Sequence, residues 1–265
     1  MKLSELKNQK KPVKLLFAGN SGTGKTGALT SLVDAGYKLR IVDFDAGLDA
    51  LIHHVNAQCP DKLENIEVNS FRDRMKFTKL GPRIEGTARA YIEALRALEK
   101  WPDDGSKPEE WGTDYILVVD SLTNAGRAAF KWAEMQMPNA RDPRQLYKLA
   151  QDMIEDMIAN LTDEAFNTNV IVISHLTRLS PAGAGDGHVI SKEVVSSIGT
   201  ALGDKLPRFF NTFVLAETSV MGKKVKRTIK TFPTPTIDLK NPRPMDIDEI
   251  YPLETGLAQI FKKLH

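Results

Sequence analysis

The chain has 265 residues, of which 42% are hydrophobic and 26% charged, and its formal net charge is +2. This length is enough to bury a sizeable core and suits one large domain or one core with appendages. The small net charge excludes a globally cationic nucleic-acid coat, so a nucleic-acid contact would have to be local. Cys59 is the only cysteine, which excludes an intrachain disulfide and a cysteine-rich zinc site.

Apolar runs and apolar periodicity predict alternating strands and helices. The predicted strands are 13–18, 38–43, 65–71, 115–119, 170–173 and 212–216, followed by a hairpin at 218–231. The predicted helices are 25–35, 48–57, 87–101, 122–137 and 145–161, with a short one near 194–202. Glycine and proline break up residues 72–86 and 177–192, which predicts loops there. This order predicts an α/β fold with a mostly parallel central sheet, flanking helices and a late antiparallel hairpin.

Three segments follow from this order of elements. We expect an N-terminal segment at 1–12, a core at 13–232, and a C-terminal tail with a helix at 233–265 that packs on the core or on a neighbour. The first residues lack the apolar stretch of a signal peptide, and no apolar run approaches the length that spans a bilayer. We therefore expect a cytoplasmic protein with no membrane partner.

One stretch after the first predicted strand, Gly19-Asn20-Ser21-Gly22-Thr23-Gly24-Lys25-Thr26, fits the phosphate-loop pattern of Gly, four residues, Gly, Lys, Ser or Thr. Glycines let backbone N–H groups converge on a polyphosphate without Cβ atoms in the way. Lys25 is then expected to reach the β- and γ-phosphates, and the Thr26 hydroxyl to ligate Mg²⁺. Because a strand precedes this stretch and a helix follows it, we predict nucleotide binding by Gly19 to Gly27 rather than a structural glycine turn.

Acidic residues follow two of the predicted strands, at the edge where α/β sheets place side chains that contact ligands. Asp120 is the candidate for the Mg²⁺ side of the site. The alternative is a helix cap by Asp120 or Ser121, and both can hold together. Asp43 and Asp45 follow the second strand and point the same way in an extended chain. One of them could orient an attacking water, or both could cap the next helix or be solvated.

A histidine and a group of cations complete the candidates. His175 follows a buried strand, so it could contact a γ-phosphate, although its spacing alone favours a satisfied histidine at the edge of the core. Cations also gather between Glu217 and Thr231, and their alternation with apolar residues favours the solvated face of an edge ribbon. These cations are Lys223, Lys224, Lys226, Arg227 and Lys230.

Together these stretches resemble the core ATPase of the RecA/RadA-type recombinases, especially the minimal phage-encoded members that act in single-strand annealing. The stretch 42–49, Val-Asp-Phe-Asp-Ala-Gly-Leu-Asp, is similar to the end of the family's second strand, and Asp45 matches its catalytic glutamate. The stretch 118–121, Val-Val-Asp-Ser, is similar to the family's second acidic strand, without the glutamate that an AAA+ enzyme would have next. Ser174-His175 matches an Asn-Gln pair, which implies that His175 senses the γ-phosphate.

The resemblance also implies ATP as the nucleotide, its hydrolysis, and single-stranded DNA as a partner. The segment 177–199 corresponds to a DNA-binding loop, and because it has no aromatic residue we expect Arg178 and Lys192 to contact DNA phosphates. Lys240-Asn241-Pro242-Arg243 resembles a Lys-Asn-Lys segment whose lysines reach a neighbour's ATP. No arginine lies within the phosphate loop or next to Asp120, which also favours cations supplied in trans by Lys240 and Arg243.

These expectations describe a homo-oligomer with ATP at its subunit interfaces, in the bacterial host cytoplasm, with a single-strand-binding protein as a further partner. Two rival functions remain open at this level. A P-loop ATPase switch of another DNA transaction, such as partitioning or helicase loading, also places Asp-x-Asp after the second strand, but partitioning ATPases carry an early lysine where this chain has Asn20. A small-molecule kinase is disfavoured because no lid rich in arginine stands out.

Overall fold

The structure is a computed structural model that describes residues 11–179, 191–199, 201–222 and 224–265. Its strands are β1 Lys14–Gly19, β2 Lys38–Asp43, β3 Ile66–Ser70, β4 Met75–Thr78, β5 Gly81–Ile84, β6 Gly112–Asp120, β7 Thr168–Ser174, β8 Leu176–Leu179, β9 Lys192–Val195, β10 Thr212–Met221, β11 Lys224–Lys230 and β12 Ile250–Pro252. Its α-helices are α1 Lys25–Ala28, α2 Thr30–Asp34, α3 Asp49–Gln58, α4 Ala90–Glu99, α5 Leu122–Gln136, α6 Pro143–Thr162 and α7 Leu253–Leu264. Short 3-10 turns lie at Pro60–Asn65, Pro108–Glu110 and Leu206–Phe209.

The main sheet of the described chain has eight strands in the order β12-β11-β10-β1-β7-β6-β2-β3. The strands from β10 to β3 pair in parallel, while β11 and β12 add antiparallel pairs on one side. Buried apolar strands joined by helical crossovers favour parallel pairing with both faces covered. The predicted α/β fold, with a mostly parallel sheet, flanking helices and a late antiparallel hairpin, is confirmed.

The strand registers bring the residues with polar chemistry to one edge of the sheet. Asp43 pairs with Asp120 across β2 and β6. Gly19 ends β1, and Ser174 ends β7 beside it. Parallel strands all end on the same side, so this edge collects the phosphate loop, both acidic turns and His175.

Alternate residues of the central strands pack into two apolar clusters, one on each face of the sheet. One cluster holds Leu16 and Val119 with residues of α4, α5 and α6. The other holds Phe17 and Val118 with residues of α1, α2, α3 and α7. Neighbouring residues of a strand point to opposite faces, so the continuous apolar strands fill both clusters. Burying a Leu- or Phe-sized side chain stabilises a fold by about 1.5–3 kcal/mol, and these clusters hold the sheet edge that carries the site.

The C-terminal residues pack on this core. Tyr251 of β12 pairs with Ile229 of β11, which adds the tail to the main sheet. Leu257, Ile260 and Phe261 of α7 are fully buried against the same face as α1 and α2. A domain boundary near residue 232 stays a prediction. Within the described chain, no helix combines the length and the apolarity that crossing a membrane requires.

Two stretches differ from the sequence prediction. Residues 72–86, predicted as a loop, contain the antiparallel β4–β5 hairpin, whose turn includes Gly81 at φ 103°. The short helix predicted near 194–202 is wrong in the residues described there, because Val194 and Val195 pair with β8 and are buried as part of β9. Short apolar runs suit a strand or a helix, and tertiary packing decides between them.

Three predicted features extend outside the described residues. These are most of the N-terminal segment 1–12, the middle of the segment 177–199, and Lys223 in the late hairpin. The described parts of 177–199 include β9 and most of β8, which pair in an antiparallel hairpin directly after His175. This β8–β9 hairpin therefore starts at the edge of the sheet that carries the site.

Candidate nucleotide site

Glycines shape the phosphate loop between β1 and α1. A Cβ on Gly19 would lie 2.6 Å from the carbonyl oxygen of Ala216, closer than real side chains pack. Gly22 and Gly24 adopt φ angles of 78° and 89°, in the left-handed region that other residues disfavour. A Cβ on Gly24 would also lie 2.7 Å from the Leu253 side chain. The loop therefore has the tight curl with which such sequences bring backbone N–H groups to phosphate.

Lys25 opens α1 and is almost completely buried. Its ammonium group donates to the carbonyl oxygens of Gly19 at 2.8 Å and Asn20 at 3.0 Å, so the cation lies inside the curl of the loop. Burial lowers the pKa of Lys25 to about 8, while Asp120 and Asp45 oppose that shift. The side chain is therefore mostly protonated at neutral pH, and it can exchange two carbonyl oxygens for phosphate oxygens.

Thr26 and Asp120 meet at the end of β6. The Thr26 hydroxyl donates to Oδ2 of Asp120 at 2.8 Å. Burial raises the pKa of Asp120 to about 6, against the Thr26 hydrogen bond and with help from the nearby Asp45 and Asp43 carboxylates. The helix cap is made by the next residue, because the Ser121 side chain accepts from the N–H of Asn124. The sequence left two roles open, a place in the site and a helix cap. Asp120 lies in the site, and Ser121 caps the helix.

These residues fit a nucleotide with Mg²⁺. Hydroxyl and carboxylate oxygens, as in Thr26 and Asp120, are the ligands that Mg²⁺ prefers, and the buried Lys25 supplies a cation inside a glycine-formed cradle. Thr26 would hold the metal and Asp120 would lie behind it. When bound, Mg²⁺ neutralises charge that develops on the phosphates.

Asp43, one of the two acidic residues after β2, holds a turn. Its Oδ1 accepts from the N–H groups of Asp45 at 3.0 Å and Ala46 at 2.9 Å, and its Oδ2 accepts from the Ser70 hydroxyl at 2.8 Å. The turn includes Ala46 at φ 52°, in the left-handed region, and the Asp43 and Asp45 carboxylates bind different partners. Neither carboxylate caps α3, which has no side-chain cap, so the capping alternative is wrong.

Asp45 reaches the start of α5 instead. Its Oδ1 accepts from the Ser121 hydroxyl at 2.8 Å, the Ser121 N–H at 3.1 Å and the Asn124 amide at 2.8 Å. Its Oδ2 lies 3.8 Å from Nε2 of His175. Burial acts to raise the pKa of Asp45, but the nearby His175 side chain and the hydrogen bonds from Ser121 and Asn124 outweigh it and lower the pKa to about 2. An ionised carboxylate with one oxygen facing His175 is suited to orient a water molecule.

His175 lies at the site rather than within the core. Its side chain has a relative exposure of 33% and faces Asp45. Its backbone is fixed on both sides, since the N–H donates to the Thr123 hydroxyl at 3.2 Å and the carbonyl accepts from the Ser196 N–H at 2.7 Å. His175 therefore connects the acidic edge to the residue that follows β9, and its sensor role stays a prediction.

Sequence reasoning missed the side chains that flank the phosphate loop. A Cβ on Gly24 would lie 3.5 Å from Cδ of Arg227, so an arginine of β11 lies beside the loop in the same chain. The sequence argument considered only arginines within the phosphate loop or next to Asp120, so it did not include Arg227. On the other flank, a Cβ on Gly27 would lie 2.9 Å from the His54 ring. β11 carries several cations, and the sequence does not show which of them lies beside the phosphate loop. The pairing of β11 with β10 decides this, and it places Arg227 there.

Asn124 was missed for a different reason. It lies three residues after Ser121, at the start of α5, where its backbone N–H donates to the Ser121 hydroxyl. The sequence offered Ser121 as a helix cap but gave no signal for the Asn124 side chain. That the amide also binds Asp45, 79 positions earlier, depends on the pairing of β2 with β6.

A family model described as AAA domain matches residues 11–243 of the chain. The chain belongs to the AAA-domain family. With its phosphate loop at the end of β1 and its parallel sheet, the AAA-domain protein has the fold of a P-loop ATPase. The sequence argument against the AAA+ branch concerned one position only, Ser121, where such an enzyme has glutamate.

Two solved structures are similar to this AAA-domain protein. The crystal structure of a KaiC-like protein from Pyrococcus horikoshii OT3 has 11% identity and a TM-score of 0.40, and the match covers 84% of this chain and 79% of that chain. The crystal structure of the flagellar accessory protein FlaH from Methanocaldococcus jannaschii has 10% identity and a TM-score of 0.43, covering 93% of this chain and 89% of that chain. No curated protein matches the chain.

The two predicted DNA cations of the AAA-domain protein both lie on the β8–β9 hairpin. Arg178 pairs with Glu193 at 3.3 Å, and both line a cavity of about 360 Å³ whose opposite wall is the phosphate loop. Lys192 pairs with Asp204 at 2.8 Å and with Asp238 at 3.0 Å. Their charges are thus balanced within the chain, and contact with DNA stays a prediction.

The two predicted trans-acting cations lie away from the phosphate loop of their own chain. Lys240 pairs through its backbone with Phe213, near the start of β10, and its ammonium group donates to the Phe210 carbonyl at 2.6 Å. The Arg243 guanidinium donates to the carbonyl of Lys263 near the end of α7. The structure does not bring these cations together with Lys25, and their role in trans stays a prediction.

Proposed function

We propose that this protein hydrolyses ATP and binds single-stranded DNA as a homo-oligomer, and that it acts in phage-type recombination or strand annealing. The observation that carries the proposal is the continuity between the nucleotide site and the β8–β9 hairpin. β8 begins directly after His175, and Arg178 on β8 lines the same cavity as the phosphate loop. A change at the nucleotide therefore has a direct physical route to the hairpin.

Three groups of this chain divide the work of hydrolysis. Lys25 would hold phosphate oxygens, and Thr26 with Asp120 would hold Mg²⁺. Asp45 orients the attacking water through the oxygen that faces His175. Because its pKa is about 2, Asp45 is a weak base, so it positions the water without removing much of its proton. We therefore propose slow basal turnover, consistent with an aspartate one methylene shorter than glutamate.

Replacing Asp45 tests this assignment. We expect Asp45→Asn to lower turnover by roughly 10²-fold, the scale on which misplacing a reacting group acts, while ATP affinity stays largely unchanged. Asp49→Asn is the matched control, because Asp49 is an exposed carboxylate in the same stretch. Steady-state phosphate release and nucleotide titration measure the two quantities. Parental turnover in Asp45→Asn would remove the water-orienting role.

Binding of oligonucleotides tests the wider function. The parent is mixed with labelled single-stranded DNA with and without ATP, and light scattering reports assembly size. We expect tighter binding and larger assemblies with ATP, and Lys25→Ala should lose both effects. ATP hydrolysis without DNA binding or assembly would favour another P-loop switch, such as partitioning or helicase loading. Phosphoryl transfer to a small molecule would favour a kinase.

A further inference from the structure

The β4–β5 hairpin projects from the chain between β3 and α4 and leaves large apolar side chains in solvent. Phe77 is 92% exposed and Leu80, in the turn, is 80% exposed. Both belong to an antiparallel ribbon that forms a sheet of its own and contributes no strand to the main sheet. A ribbon that only capped the core would bury such side chains, because each large apolar group gains about 1.5–3 kcal/mol from burial.

Exposed cations are concentrated on this hairpin, and two of them face each other. Lys76 and Arg83 stand directly opposite each other across the two strands. Like charges in that position repel and destabilise a ribbon. Neither makes an ion pair with another described residue, and the same holds for Lys79 in the turn. The repulsion would be relieved by a ligand with negative charge.

The acidic residues of the hairpin are already engaged. Glu85 pairs with Arg74 at 3.1 Å. Asp73 accepts from the N–H groups of Arg89 at 2.7 Å and Ala90 at 3.1 Å, at the start of α4. No carboxylate of the hairpin is therefore left to neutralise Lys76 or Arg83. The aromatic ring and the unneutralised cations remain for a partner.

We propose that the β4–β5 hairpin is a single-stranded nucleic-acid contact, in which Phe77 stacks on a base while Lys76, Lys79 and Arg83 bind flanking phosphates. Phe77 directly follows Lys76 in β4, so its ring lies on the opposite face of the ribbon from Lys76 and Arg83, with Lys79 in the turn between the two faces. A single strand that passes around this narrow hairpin meets a stacking surface for a base on one face and cations for its phosphates on the other. This inference rests on the proposed DNA function and locates a contact for it outside the β8–β9 hairpin, which has no aromatic residue in its described strands.

The hairpin base lies close to the catalytic edge. A pocket of about 180 Å³ runs between Met75 and Ile84 of the hairpin and Asn124 and Arg127 of α5. Asn124 donates to the Asp45 carboxylate at 2.8 Å. The base of the hairpin thus shares a pocket with Asn124, which positions Asp45, and Arg127 adds a cation to that pocket.

Fluorescence anisotropy with a labelled oligothymidylate at several salt concentrations tests the proposal. We expect Phe77→Ala to weaken binding by roughly 5- to 150-fold, the range for losing one base–aromatic stack, and Phe77→Trp to retain it. Oligothymidylate should also quench the added indole fluorescence of Phe77→Trp. The double variant Lys76→Ala with Arg83→Ala should lower the log–log salt slope by about 1.4, at about 0.7 for each phosphate contact.

Matched exposed residues serve as controls. Met245, 95% exposed, and Lys148, an exposed lysine on α6, lie outside the hairpin, so Met245→Ala and Lys148→Ala should bind like the parent. All variants should keep parental unfolding transitions and basal ATP hydrolysis, because the changed side chains are exposed. If the parent binds DNA but the hairpin variants bind equally well, the inference is wrong and the proposed function stands.

Two further outcomes are decisive. A parent that binds no oligonucleotide under any condition would overturn both the inference and the DNA part of the proposed function. Unchanged DNA binding by Phe77→Ala combined with smaller assemblies would identify the hairpin as a protein-docking surface, which also overturns the inference.

Discussion

At the scale of single residues, environment separates three carboxylates that look alike in the sequence. Asp43 gives both oxygens to a turn and to Ser70. Asp45 is kept ionised by donors from α5, with its pKa near 2. Asp120 is buried against Thr26, with its pKa raised to about 6. Their roles in the site follow from these surroundings rather than from residue type.

The phosphate-loop assignment predicts the effect of removing single groups. We expect Lys25→Ala and Thr26→Ala each to weaken Mg·ATP binding by at least roughly tenfold, because each removes a hydrogen bond or ligand to a charged group, worth about 1.5–3 kcal/mol. The overall fold should persist. Isothermal titration with ATP and Mg²⁺ measures the loss, with Lys148→Ala as control. Undiminished affinity and hydrolysis in both variants would contradict the assignment.

The opposite pKa shifts of Asp120 and Asp45 predict opposite pH dependences of stability in the protein without nucleotide or Mg²⁺. Because the pKa of Asp120 is raised in the folded protein, its contribution to the free energy of unfolding is complete below about pH 4. That contribution is lost as pH rises through about 6. Because the pKa of Asp45 is lowered in the folded protein, its contribution to the free energy of unfolding is present above about pH 4. That contribution is lost as pH falls through about 2.

Substitution should reveal this contrast. Above pH 6 or so, Asp120→Asn should raise the free energy of unfolding relative to the parent, on the order of 2 kcal/mol, because it removes a buried charge; the gain should vanish towards about pH 4. Asp45→Asn should instead lower the free energy of unfolding at neutral pH. Urea unfolding across this pH range measures both. Differences that do not vary with pH would exclude titration of these carboxylates as the cause.

At the scale of elements, edge strands and terminal pieces determine what surrounds the nucleotide. β11 brings Arg227 beside Gly24, and α7 brings Leu253 to the same glycine. The β8–β9 hairpin starts at His175 and carries the predicted DNA cations. None of these neighbours is close to the phosphate loop in sequence, and each depends on an element packing in its observed place.

The β8–β9 hairpin is predicted to contact DNA phosphates through Arg178 and Lys192. We expect Arg178→Ala combined with Lys192→Ala to lower the log–log salt slope of oligonucleotide binding by up to about 1.4. The effect should be smaller if the ion pairs with Glu193 and Asp204 persist on DNA. Anisotropy titrations over several salt concentrations provide the slope. Binding equal to the parent at every salt concentration would show that this hairpin is not the DNA site.

Helix α7 should contribute strongly to stability. Phe261 is fully buried beneath it, so Phe261→Ala should lower the free energy of unfolding by about 3–5 kcal/mol through lost burial and a cavity. Lys262→Ala, on the exposed face of the same helix, should change it by less than about 0.5 kcal/mol. Denaturant unfolding measures both. A small loss for Phe261→Ala would mean that α7 packs weakly on the core.

At the scale of the whole molecule, the chain carries its phosphate loop at one edge and its predicted trans-acting cations elsewhere. Lys240 pairs near the start of β10, whereas Gly19 pairs with Ala216 further along that strand. Arg243 binds the end of α7. One subunit cannot use both groups at its own site in this arrangement, so their predicted role requires an assembly.

Mixing variants tests that assembly. Lys240→Ala with Arg243→Ala should be inactive alone, since a cation supplied in trans is worth roughly 10³-fold or more in turnover. Mixed with Lys25→Ala protein, it should regain activity at shared interfaces, because each partner supplies the group that the other lacks. ATP hydrolysis over a range of mixing ratios measures the recovery. Full activity of the double variant alone, or a protein that stays monomeric with ATP, would exclude the trans role.

The sequence by itself determined the elements with strong local signals. The glycine pattern with Lys25 and Thr26 is local chemistry, and continuous apolar runs such as β6 specify buried parallel strands. These signals lie within a few residues of one another, so no knowledge of the fold is needed to detect them. The α/β class, the phosphate loop and the acidic strand ends follow from them.

Only the tertiary structure decided how distant residues meet. Asp45 and Asn124 are joined because β2 pairs with β6, and Arg227 lies beside Gly24 because β11 follows β10 back along the edge. The β4–β5 hairpin and β8 were missed because glycine and proline in 72–86 and 177–192 indicate loops, and β9 was missed because a short apolar run suits a helix or a strand until packing selects one. Register and packing act across long sequence separations, and local residue patterns do not encode them.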